Sequence, residues 1–62
     1  MQVKLIGGRR DGLTFQVTHL VPELYFPAAP SIREVYRLNK LNPNGEDEYV
    51  FVRTERVDQP HR

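Results

Sequence analysis

The stretch Val3-Lys4-Leu5-Ile6-Gly7-Gly8-Arg9-Arg10-Asp11-Gly12-Leu13-Thr14-Phe15-Gln16-Val17 decides the fold, because an apolar run stops at paired glycines and a second run restarts after a third. Gln2 to Ile6 puts Val3 and Leu5 on one side and Gln2 and Lys4 on the other, the period of a half-buried strand, which Ile6 breaks. Leu13, Phe15 and Val17 then point one way and Thr14, Gln16 and Thr18 the other, so Leu13 to Thr18 is predicted as a strand. Gly7, Gly8, Asp11 and Gly12 supply turn chemistry, since glycine tolerates positive φ and aspartate bonds its own backbone. The link is too long for a two-residue turn, and Asp11-Gly12 is expected to provide its left-handed position.

Downstream, Pro22 predicts a turn over His19 to Glu23, followed by a very short edge strand, Leu24 to Phe26, closed by Pro27. Pro27 to Ser31 is expected to be a stiff, exposed strap across one end of the sheet. Ser31 and Glu34 have the spacing of a helix capping box. The β-branched and aromatic residues of Ile32 to Leu38, and the turn signal Asn42-Pro43-Asn44-Gly45 before the extended run Glu48 to Thr54, instead favour a second hairpin. Partners whose numbers add to about 87 satisfy both faces. Tyr36 then meets Phe51 and Leu38 meets Tyr49 on one face, while Val35 meets Val52 and Arg37 meets Val50 on the other. Pro43 presets the turn and Gly45 is expected at a left-handed position.

A chain of 62 residues makes one small domain of marginal stability, expected to span 1–56, with a frayed tail over 57–62. The absence of cysteine excludes disulfides and thiolate metal sites. A formal charge of +1 argues against a protein that neutralises many phosphates. No apolar run is long enough for a membrane span or a signal peptide, so a cytoplasmic protein without membrane contact is expected.

The residues give little support to catalysis. His19 and His61 have no partner that the sequence identifies, and Glu46-Asp47-Glu48 lacks the alternating ligands of a calcium loop, so neither a metal nor another cofactor is expected. Gly7-Gly8 followed by Arg9-Arg10 suggests a phosphate cradle, but a P-loop opens a helix and here a strand follows. Arg9-Arg10 and Glu46-Asp47-Glu48 are expected as solvated loop tips. Phe15, Tyr36, Tyr49 and Phe51 are expected in the core, which leaves Tyr25 and Arg37, with Arg9, Arg10, Arg33 and Arg53, as candidate nucleic-acid contacts. Val35, Val50 and Val52 form more apolar surface than a solvent-facing strand requires. Either the first hairpin closes over them or a second copy of the chain does. Their burial is of order 5 kcal/mol at about 25 cal/mol per Å².

Val3 to Gly12 resembles the opening of short proteins of actinobacteria and their phages, which carry Gly-Gly-Pro-x-Asp-Gly after an apolar strand; Arg9 stands here at the proline position. Pro22, Pro27, Tyr36, Leu38, Gly45, Glu46 and Tyr49 extend the likeness over most of the chain. The resemblance implies a phage or prophage setting, in the host cytoplasm or the virion, and carries no assigned activity. The expected fold is all-β: two antiparallel hairpins forming a curled four- or five-stranded sheet or small open barrel of the Src-homology-3 type. The expected function is a non-enzymatic interaction module that binds a protein partner or its own kind as a homo-oligomer, the alternative being a small nucleic-acid-binding β-barrel.

Overall fold

The computed structural model describes residues 1–57 and is all-β. Among the described residues, strands β1 (Gln2–Ile6), β2 (Thr14–Gln16), β3 (Glu23–Ala29), β4 (Ile32–Lys40) and β5 (Asp47–Arg56) form one sheet in the order β2-β1-β5-β4-β3. Three neighbouring pairs are antiparallel, while β1 and β5 run parallel with Leu5 opposite Tyr49 and Ile6 opposite Val50. That parallel pair joins the first hairpin to the rest of the sheet and makes the longest strand, β5, the centre.

The sheet curls into a half-barrel around Val3, Leu5, Tyr36 and Tyr49, all fully buried, with Leu20, Leu24, Phe26, Leu38 and Phe51 packed against them. Phe15 on one outermost strand meets Phe26 on the other, their ring centroids 5.2 Å apart. Only strong twist brings the two ends of a five-stranded sheet so close. From Phe26 the edge-to-face stacking continues through Tyr36 to Phe51, with centroid distances of 5.6 and 5.5 Å. Such pairs add about 0.5–1.5 kcal/mol each beyond area burial.

The register agrees with expectation at Tyr36–Phe51, Arg37–Val50 and Leu38–Tyr49, and then departs from it. Val35 faces Arg53 and not Val52, because a bulge puts Val52 between the partners of Val35 and Tyr36. The strand Leu24 to Phe26 is longer than its prolines suggest: β3 continues through Pro27 to Ala29 and returns through a Pro30-Ser31 turn. What the sequence presents as a strap is therefore a third hairpin. Proline is tolerated because the β3 backbone alternates, with the Pro22 carbonyl accepting the Leu38 N–H at 2.9 Å, so Pro27 turns its missing donor outward.

The strand expected over Leu13 to Thr18 is shorter, Thr14–Gln16, and Phe15 is 43% exposed, not a core residue, because it lies on the outermost strand at the opening of the half-barrel. Ser31 caps no helix, since β4 starts at Ile32. Gly12 has φ +87° as expected, but Gly7 and Gly8 are also left-handed, at +84° and +69°, and Gly45 is not. Gly45 closes the turn by donating its N–H to the Asn42 carbonyl at 3.1 Å, the last position of a turn, where positive φ is not required. The predicted tail lies outside the described residues except for Val57, whose N–H donates to the Ser31 carbonyl at 2.8 Å.

Candidate functional site

The residues singled out by sequence fall into two groups. Tyr25, Val35, Arg37, Val50 and Val52 lie on the outer, convex side of β3, β4 and β5, where Tyr25 pairs with Val35 and Arg37 with Val50. Arg9 and Arg10 belong to the loop at one lip of the half-barrel, in a single turn of 3₁₀ helix over Gly8–Arg10.

On the outer face each guanidinium is matched by a carboxylate from a neighbouring strand or the same one. Arg37 Nη2 lies 2.9 Å from Glu23 Oε2, Arg33 pairs with Glu55, and Arg53 Nη2 is 3.1 Å from the other oxygen of Glu55. The Tyr25 hydroxyl donates to Glu23 Oε1 at 2.6 Å, and the Arg33 guanidinium stacks 4.1 Å from the Tyr25 ring centroid. The Tyr25 hydrogen bond, then the Arg37 guanidinium, hold the Glu23 carboxyl below its ordinary range, while that same bond pushes the Tyr25 hydroxyl up. Arg33, then Arg53, lower Glu55. Three arginines and two glutamates thus form a network over Val35, which is fully buried; Val52, pushed out by the bulge, is 39% exposed. The valine face is covered at one end and open at the other.

At the lip, Arg10 is not the solvated residue expected of a loop tip. Its Nη2 donates to the Pro27 carbonyl at 2.9 Å, its guanidinium lies 4.8 Å from the Phe26 ring centroid, and its Nε faces Glu34 Oε1 at 3.2 Å. Glu34 is 2% exposed because it shares the inner side with its strand partner Phe26. A carboxylate there needs a cation, and the loop arginine supplies it. Arg9 Nε is 3.7 Å from the second Glu34 oxygen, with the Arg9 side chain 69% exposed.

Two buried hydroxyls hold the loops to the sheet. Tyr36 donates to the Gly7 carbonyl at 2.8 Å and accepts the Arg10 N–H at 3.3 Å; Tyr49 donates to the Val21 carbonyl at 2.6 Å and accepts that residue's N–H at 3.1 Å. Burial pushes the Tyr36 hydroxyl above its ordinary range. Asp11 Oδ1 accepts the Gly7 N–H at 2.6 Å and closes the first loop on itself. At the other turn Asp47 Oδ1 accepts the Asn42 N–H at 2.7 Å and Glu46 accepts from Gln2, so these acidic residues brace the turn as well as meeting solvent.

Sequence reasoning gave Glu34 no role beyond a helix cap and left Glu23 and Glu55 aside. Their signal was the cross-strand pairing of opposite charges: Glu23 with Arg37 is readable once the third hairpin is known, and Arg33 with Glu55 once the bulge at Val52 shifts the register of β4 and β5 by one residue. The two sheet edges also differ. The β3 edge has Pro27, with Arg10 on its carbonyl, whereas β2 carries no charge and leaves Leu13 and Phe15 exposed, Leu13 by 53%. Among the described residues no helix is long and apolar enough to cross a membrane, and no group of three or more His, Cys, Asp or Glu is placed to hold a metal ion. Searches against family models, curated proteins and solved structures return no match to this chain.

Proposed function

We propose that this chain is a small non-enzymatic interaction module acting by protein–protein contact, an accessory, virion or regulatory protein in the phage or prophage setting that its resemblance implies. The observation that carries this reading is the division of the surface. The outer-face arginines are bound up with Glu23 and Glu55, while large apolar side chains stand exposed at Leu13 and Phe15 along the uncharged edge of the first hairpin, at Val52 on the outer face, and also at Met1, Ile32 and Leu41. Binding a phosphate backbone would require those guanidiniums to leave their carboxylates. An apolar protein surface asks for no such exchange.

A benzophenone amino acid placed at Phe15 in one variant and at Val52 in another, irradiated in the source cells, tests the proposal. A discrete protein adduct from at least one position, either a second copy of the chain or one other protein, is the expected result. Adducts to nucleic acid alone, or salt-sensitive binding of labelled oligonucleotides by the purified chain, would overturn it in favour of the nucleic-acid-binding alternative.

A further inference from the structure

We infer that two copies of the chain pair antiparallel along β2 about a two-fold axis at Phe15, which deepens the proposed function and rests on it. Three observations converge on this strand. First, its outer backbone groups have no neighbouring strand. The Leu5 N–H donates to Leu13 and the Val17 N–H to Met1, both at 2.8 Å, so Leu13, Phe15 and Val17 turn inward to β1, and Thr14 and Gln16 present their N–H and C=O groups outward. Second, the opposite edge is guarded, since Pro27 offers no outward N–H and Arg10 occupies its carbonyl. β2 has neither proline nor charge.

Third, the strand complements itself. With Phe15 opposite Phe15 of the second copy, Leu13 meets Val17 on the inner side, and Thr14 meets Gln16 in pairs that exchange both backbone hydrogen bonds. Every apolar side chain faces an apolar one and every polar side chain a polar one. The exposed faces of Leu13 and Phe15 are covered in this arrangement, and the two half-barrels share one continuous sheet. So short an edge buries less than the roughly 1,200 Å² of a stable complex, so the pairing is weak and concentration-dependent.

Sedimentation equilibrium of the full chain from about 10 µM to about 1 mM reads this directly. Self-association with a dissociation constant of order 0.1 mM is expected. Thr14→Pro, which removes an outward N–H and no bond to β1, and Phe15→Lys should each weaken it at least about tenfold, while Val52→Lys on the outer face leaves it unchanged. Should Thr14→Pro fail to fold, Phe15→Lys decides, together with slowed amide exchange at Thr14 and Gln16 in the wild type as concentration rises. A wild type that stays monomeric to about 1 mM overturns the pairing, as does dimerisation that survives both β2 substitutions or is lost with Val52→Lys. If the benzophenone at Phe15 captures a different protein while the chain stays monomeric, the interaction role stands and only the self-pairing falls.

Discussion

Gly8 has no room for a side chain. A Cβ there would come within 2.8 Å of the Tyr36 hydroxyl and 2.9 Å of the Phe51 ring, at φ +69°. Gly8→Ala is expected to cost about 2–5 kcal/mol, combining left-handed strain with overpacking, whereas Gly45→Ala, whose new atom would meet only Asn42 Cβ at 3.8 Å, should stay within about 0.5 kcal/mol of wild type in urea denaturation. Each of the two tyrosine hydroxyls answers a backbone donor and acceptor that a phenylalanine would leave unpaired. Tyr36→Phe and Tyr49→Phe should each cost about 1–3 kcal/mol, and amide exchange should quicken at Arg10 in the first and at Val21 in the second. The two adjacent arginines separate in the same way. Arg10→Ala leaves Glu34 buried beside only the distant, exposed Arg9 and should cost about 2–4 kcal/mol, while Arg9→Ala should change stability by less than about 0.5 kcal/mol.

At the level of the strands, each deviation from regularity has an identifiable use. The bulge at Val52 lets β5 keep Phe51 on the inner aromatic series and Arg53 on the outer network, at the expense of an exposed valine. Pro27 keeps the β3 edge from acting as a template. Pro27→Val restores an outward N–H without altering the bonds to β4, so the variant should fold and self-associate more strongly than wild type, read as a higher weight-average mass in light scattering at matched concentration. An unchanged mass would show that Arg10 alone guards that edge.

For the molecule as a whole, the acid and alkaline limits of stability follow from different groups. The carboxyls of Glu23 and Glu55 have folded-state pKa values below the ordinary 4.5, so the folded chain binds fewer protons than the unfolded one. Their contribution is complete above about 4.5 and is lost as pH falls through the lowered values. Tyr36 is raised above the ordinary 10.0, so the folded chain holds its proton longer, and stability declines as pH rises from about 10 through the raised value. Thermal melts across pH should show both shoulders. Added salt should shrink the acid one, whose ion pairs are exposed, and Tyr36→Phe should remove its part of the alkaline one. A half-barrel of this size has little reserve, so either limit should be visible as a lowered midpoint well before unfolding is complete.

β1 within its observed bounds, the hairpin of β4 and β5 with its register at Tyr36, Arg37 and Leu38, and the left-handed turn at Gly12 are legible in the residues alone, because alternation, turn residues and φ preference act between near neighbours. The remaining features follow from the folded shape. Pro27 lies inside the edge strand that the prolines announce, because its missing donor falls on the outward side, and nothing local says which way that position faces. Val52 is expelled because inner and outer faces must both be satisfied over a strongly twisted pair, a condition set by Tyr36 and Arg53 together. The Arg9-Arg10 pair is indistinguishable in sequence from a solvated tip, yet Arg10 is drawn down to a carboxylate that the curl of the sheet has buried 24 residues further along the chain. Burial of charge is a property of the closed shape, and no period within the chain encodes it.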